Sequence, residues 1–309
     1  MALHFSDGRF QSRFFRTAQT MLEHEDSAYY ALVEDAANHI NPEHLVTFGM
    51  NLGYNSCTWG AQHIRANEAQ LGFNIPWTVL FLMEEPHCSR HLPQYGHAVS
   101  EGEELGIYSW ILLSHGNLLE LLPLIERHPD SAFFLFCRPE DISPAVLDEI
   151  TPLRHLMLVV RWGDQADEAC AMLRNARLPY SVYYPYSPDD LPFIRSGDLF
   201  CDTQQLHPLF TALAAKPDCP AEIQRQAHQA AEELRNGQNY KTVPWELCYD
   251  TRSLDEIISD DACCVLFDGQ GQLIALDNPG CAPFGCLFEE GLTSLIRRAY
   301  PKSPPASSL

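Results

Sequence analysis

Basic residues, long apolar runs and the compact motifs of common enzyme chemistries are all scarce in this 309-residue chain. Lysine and arginine total 20 against 41 acidic residues, a formal charge of −21. A polyanion would be repelled beyond any local basic patch, so nucleic acid is not an expected partner. An excess of that kind ordinarily keeps a protein in solution. No run reaches the roughly 18 apolar residues that cross a bilayer, so no membrane insertion is expected. Met1 to Arg16 also lack the apolar core of a secretory signal, and a cytoplasmic location is the expectation. Neither a glycine-rich phosphate loop, nor a Gly-x-Ser-x-Gly elbow, nor a His-Glu-x-x-His zinc helix occurs, which removes the chemistries those motifs carry. The eleven cysteines are odd in number and scattered. That usage predicts buried thiols rather than a disulfide framework.

What is present is an ordinary globular composition, 46% hydrophobic and 11% aromatic, able to bury a full core. Phe10, Phe14, Ala18 and Met21 recur at helical spacing, as do Tyr30, Val33, Ala36 and Ile40 before Asn41-Pro42, and a third helix is predicted over 55–71, ended by Gly72. Ile75 to Met83 is a nearly unbroken apolar run, the pattern of a strand buried on both faces. Helices over 97–105, 117–128, 141–150 and 164–176 then alternate with strands over 107–113, 132–137, 155–161 and 180–185. Repeated βα units imply a parallel sheet, doubly wound or curled into a partial barrel. Beyond Tyr186 the alternation weakens. Helices are predicted over 206–215 and 221–236, a strand over 243–249, a hairpin from Cys263–Phe267 and Gln272–Leu276, and a helix over 290–300.

In α/β folds the reactive groups sit at the carboxyl ends of strands. The segment after the first strand, read as a loop over 86–95, offers His87, Cys88 and His91, and the end of the second strand offers Ser114, His115 and Asn117. Convergent loops would gather these six into a small-molecule pocket. Tyr180, Tyr183, Tyr184 and Tyr186 divide between core and surface by strand alternation. Cys263, Cys264, Cys281 and Cys286 form the densest thiol group, open to two readings: buried structural thiols, or ligands to zinc or an iron–sulfur cluster. No CxxC pair lies among them, and neighbouring side chains of a strand point to opposite faces.

The segment Trp59 to Glu68, continuing through Gly72 to Trp77, resembles the lead-in of radical S-adenosylmethionine (radical SAM) proteins of the SPASM-type branch. Leu105 to Tyr108 and His128 to Phe133 resemble that branch's second and third βα units. The resemblance covers residues 59–137 best. It implies a partial (β/α)6 barrel of the TIM-like α/β class, with amino-terminal helices and a small hairpin-helix extension. Family members carry CxxxCxxC after the first strand, three thiolates for a [4Fe–4S] cluster, where this chain has Cys88 alone on a shorter connection. A single thiolate does not hold such a cluster. Where the family has Gly-Gly-Glu-Pro for the methionine amine, the chain has Ser114-His115-Gly116-Asn117. Leu276 stands where the family's auxiliary hairpin has a cysteine.

These departures lead to the expectation of a degenerate radical SAM protein that binds, scaffolds or regulates another protein, an active enzyme being one candidate partner, and takes no cofactor. The alternative is an enzyme with repurposed chemistry at the barrel mouth, or with an unconventional metal site. A third reading makes a working surface of the acidic clusters Glu101, Glu103, Glu104 and Asp164, Asp167, Glu168. The expected domains are a helical lead-in over 1–72, a partial barrel over 73–250, a SPASM-like extension over 251–300 and a disordered tail over 301–309.

Overall fold

Ser27 opens the first described helix: its hydroxyl accepts from the Tyr29 N–H, capping α1 (Ala28–His39). The computed structural model describes residues 23–84, 87–114, 116, 118–259, 263–275 and 283–302. The helix expected around Phe10 to Met21 and the tail from 303 onward lie outside them. Asn41-Pro42 ends one helix and starts another, because Asn41 accepts from the Glu43 N–H and Pro42 needs no donor in the first turn of α2 (Pro42–Met50). The helix runs on as ten residues of π-helix, Asn51–Gly60, into α3 (Ala61–Leu71), which left-handed Gly72 ends at φ 76°. Gly60 passes so close to the chain at Gly106 that a Cβ there would lie 2.5 Å from the Gly106 carbonyl oxygen.

The apolar runs become strands: β1 (Thr78–Met83), β2 (Ser109–Ser114), β3 (Ala132–Cys137), β4 (Leu156–Arg161) and β5 (Tyr180–Tyr186). Between them run α4 (His87–Leu105), α5 (Leu118–Glu126), α6 (Pro144–Ile150, capped by Ser143) and α7 (Ala166–Asn175). Short α8 (Leu191–Ser196) and α9 (Asp198–Thr203) lead to β6 (Phe210–Ala215). Next come α10 (Ala221–Gly237), β7 (Val243–Glu246), α11 (Leu247–Ile258), the hairpin β8 (Val265–Phe267) and β9 (Leu273–Ala275), and α12 (Leu292–Ala299). The nine strands form one sheet in the order β7-β6-β5-β4-β3-β2-β1-β8-β9, parallel except for the β8–β9 pair.

The sheet curls into a partial TIM-like barrel, as expected. Two local expectations are corrected. Residues 206–215, read as helical, contain β6, whose Thr211, Ala212 and Leu213 are all fully buried. The expected loop over 86–95 is instead mostly helix, since α4 begins at His87 and kinks at His91, two residues before Pro93. The main core lies between the sheet's outer face and the helices, with Phe81, Trp110, Leu135 and Val160 in it. A second core, from Leu80, Ile111, Phe136, Val159 and Ala212, lies on the concave face. Among the described residues no helix is long and apolar enough to cross a membrane.

Candidate functional site

The mouth of the barrel is the rim formed by the carboxyl ends of β1 to β6. At β1 the chain passes from Met83 into α4 with three residues between them. Cys88, in the first turn of α4, is fully buried, and its N–H donates to the Glu84 carbonyl. His87 is half-buried. His91 turns toward the carboxyl-terminal segment and stacks on Phe288 with ring centroids 3.8 Å apart and planes 7° from parallel. Its Nδ1 is buried without a hydrogen-bond partner among the described residues. Tyr95, one turn on, packs edge-on against the same Phe288 ring. Ser114 is buried at the end of β2. His115 and Asn117 lie outside the described residues. The sequence candidates at this rim therefore separate: His91 belongs to a packing stack and Cys88 to the core.

The second candidate group divides as well. Cys263, Cys264 and Cys286 are buried, and the Cys286 thiol lies 3.5 Å from the Gln270 carbonyl oxygen, to which it donates. Cys281 lies outside the described residues. No cluster of three or more His, Cys, Asp or Glu side chains suited to a metal occurs among the described residues. The donor set at the β1 end supplies one thiol where a [4Fe–4S] cluster needs several thiolates, so these residues do not fit that group.

Sequence reasoning missed the charged part of the rim. Arg138 follows β3 and Arg161 ends β4, and the register that pairs Cys137 with Val160 sets the two arginines side by side one residue further on. Arg138 donates to both oxygens of Asp141, with Nη2 to Oδ1 at 3.1 Å, and lies 3.4 Å from Glu140. Arg161 is exposed and has no salt bridge among the described residues. It lies in one register row with Tyr183, Ala212 and Trp245. Burial pushes the Tyr183 phenol up to about 12, with the Cys137 thiol adding to the shift and the Arg161 and Arg138 cations opposing it. The available signal was a lone arginine closing each of two apolar strands. The rim thus carries one arginine, Arg138, neutralised by Asp141 and Glu140, and a second, Arg161, with no salt bridge among the described residues.

Tyr180 and Tyr186 are buried while Tyr183 and Tyr184 are half-buried, a division that alternation alone does not give, since Tyr184 shares its face of β5 with Tyr186. Two carboxylates of the first acidic cluster are engaged internally: the His128 imidazole and Ser131 hydroxyl donate to Glu103, and the Thr293 N–H donates to Glu101.

No protein-family model matches the chain, and no curated protein does either. Among solved structures it is similar to SuiB of Streptococcus suis, with a TM-score of 0.54 and 8% identity, covering 76% of this chain and 68% of that one. SuiB bound to S-adenosylmethionine matches at 0.51, with 9% identity over 76% of this chain and 66% of that one. SuiB bound to the precursor peptide SuiA matches at 0.49, with 10% identity and coverages of 76% and 67%. The match thus spans about two thirds of SuiB's length. The expectation of no cofactor is corrected by this comparison: a protein of the same fold has been solved with S-adenosylmethionine bound. At these identities the likeness is one of architecture, and the chain has the fold of the radical SAM enzymes.

Proposed function

We propose that this chain uses the radical SAM barrel as a binding module, recognising an anionic group at the rim and working with a protein partner rather than carrying out cluster chemistry. The observation that carries the reading is the junction of β1 and α4, where a single, fully buried thiol, Cys88, stands in place of three ligating cysteines. Beside the β2–α5 connection the ion pair of Arg138 with Asp141 reaches Gly116, where the resemblance calls for a carboxylate that receives an amine. Arg161, exposed and without a salt bridge among the described residues, is the rim cation that favours a carboxylate or phosphate.

A protein partner is supported by an apolar stripe. Val46, Met50 and Tyr54 recur every fourth residue along α2 and the π-helical segment and are 63%, 50% and 51% exposed. Large side chains grouped this way commonly mark interaction surfaces. The stripe is a better docking candidate than the first acidic cluster, two of whose carboxylates already serve the fold. A repurposed catalytic mouth built on Cys88 and His91 has less support, because one is buried and the other is stacked on Phe288.

Anaerobic reconstitution with iron and sulfide, followed by ultraviolet–visible and electron paramagnetic resonance spectroscopy, tests the reading. No cleavage of S-adenosylmethionine is expected. A stoichiometric [4Fe–4S] signal accompanied by cleavage of S-adenosylmethionine would overturn it.

A further inference from the structure

The concave face of the sheet encloses a second space. Leu80, Ile111, Phe134 and Met157 form one register row across β1 to β4. Above part of this floor lies a cavity of about 580 Å³, walled by Ile111, Phe134, Met157 and Trp245 from the sheet and by Phe48 and Leu52 from the helix that crosses it. Packed interiors rarely leave voids much larger than a water molecule, whereas small-molecule sites occupy roughly 300–1,000 Å³. This space falls in the second class.

Two features give it the character of a built site. Gly49 and Gly53 line it four residues apart, and a Cβ at either would meet nothing within 4 Å. Both are exposed, so they leave the space open on that side. Gly53 also lies in the π-helical segment, a rare geometry often found at functional sites. At another point of the wall Thr251, 1% exposed, leaves its Oγ1 without a hydrogen-bond partner among the described residues. A buried hydroxyl in an apolar wall costs free energy unless something binds it.

No lining residue carries a formal charge, and the Cys57 thiol in the wall is held neutral by burial, which pushes it up to about 12. An unpaired ion would lose its hydration there without compensation. We propose that this cavity binds an uncharged, largely apolar small molecule, an aliphatic or aromatic body bearing one alcohol or carbonyl group that hydrogen-bonds to Thr251. Its uncharged lining sets it apart from the rim, where Arg161 is charged and exposed.

Fluorescence titration of the full chain with N-phenyl-1-naphthylamine, an uncharged dye, tests the assignment. One saturable site with blue-shifted emission is expected, and the sulfonated analogue should bind at least tenfold more weakly. Gly53→Leu, which adds a side chain at the open edge of the space, should weaken dye binding at least tenfold without lowering Tm. Gly49→Leu gives the same reading should the first variant fail to fold. In the Thr251→Val variant, 1-octanol should lose severalfold in its ability to displace the dye while octane is unaffected. Failure of the unsubstituted chain to saturate, equal binding of the charged analogue, or dye binding unchanged in a folded leucine variant would overturn the assignment.

Discussion

Gly116 and Arg138 meet at the rim: a Cβ on the glycine would stand 2.7 Å from the arginine Nη2, and the glycine holds φ at 94°, where other residues are strained. Gly116→Ala should therefore cost about 1 kcal/mol of stability from the backbone. The guanidinium is the flexible end of a side chain and can step aside, so the larger effect should fall on ligand binding. Titration with an anionic ligand should show weaker binding in Gly116→Ala and a greater loss in Arg161→Ala. Equal affinity in all three chains would remove the rim from consideration.

The apolar stripe makes a separate claim. Met50→Glu places a charge on a side chain that is 50% exposed, so stability should change by no more than about 0.5 kcal/mol. Co-purification from the native host should lose the partner that the unsubstituted chain retains. A partner recovered equally with both chains would move the interface elsewhere.

The fold was legible where one pattern excluded its rivals. Ile75 to Met83 and Leu156 to Val160 are apolar runs too short for the helices of such a fold and too continuous for a half-exposed strand, and they became β1 and β4. Residues 206–215 misled because Leu206, Leu209, Phe210 and Leu213 recur at helical spacing. There Thr211 and Leu213 face one side of the sheet and Ala212 the other, all of them buried, so tertiary burial produced the pattern. At the candidate site, the loss of clustered thiols after the first strand could be read directly. The pairing of Arg138 with Arg161 could not, since it depends on strand register. Nor could the fate of His91, which was set by a ring nearly two hundred positions away, Phe288.

Thiol reactivity offers a direct check on burial. Among the described cysteines Cys201 is exposed and Cys248 is partly so, while the others are buried. Burial also pushes the Cys137 and Cys170 thiols upward, which suppresses the reactive thiolate. Native protein treated with Ellman's reagent should show a fast phase that disappears in Cys201→Ser. Cys88→Ser should leave that phase intact. A fast phase lost with Cys88 instead would place this thiol at an open mouth and contradict its burial.

Glu246 governs a pH dependence of unusual sign for a carboxylate. Burial pushes its carboxyl from 4.5 up to about 7, against the opposing hydrogen bonds from the Tyr249 N–H and the Tyr186 hydroxyl. Between those two values the folded chain holds a proton that the unfolded chain has released. Stability therefore falls as pH rises from about 4.5 to about 7 and levels off above, by an amount on the order of 3 kcal/mol for this group. Asp255, also pushed upward by its burial, adds a contribution of the same sign. Asp35, held low by the hydrogen bond from Arg174, acts in the opposite direction, and its contribution is lost as pH falls from the ordinary aspartate range through its lowered value. Glu246→Gln keeps an acceptor for one of the two donors and removes the titration. Urea midpoints measured from about pH 5 to about pH 8 should fall less steeply in Glu246→Gln than in the unsubstituted chain, leaving the residual slope of Asp255. Identical slopes in the two proteins would mean that Glu246 stays ionised in the folded state and that its buried hydrogen bonds outweigh its desolvation.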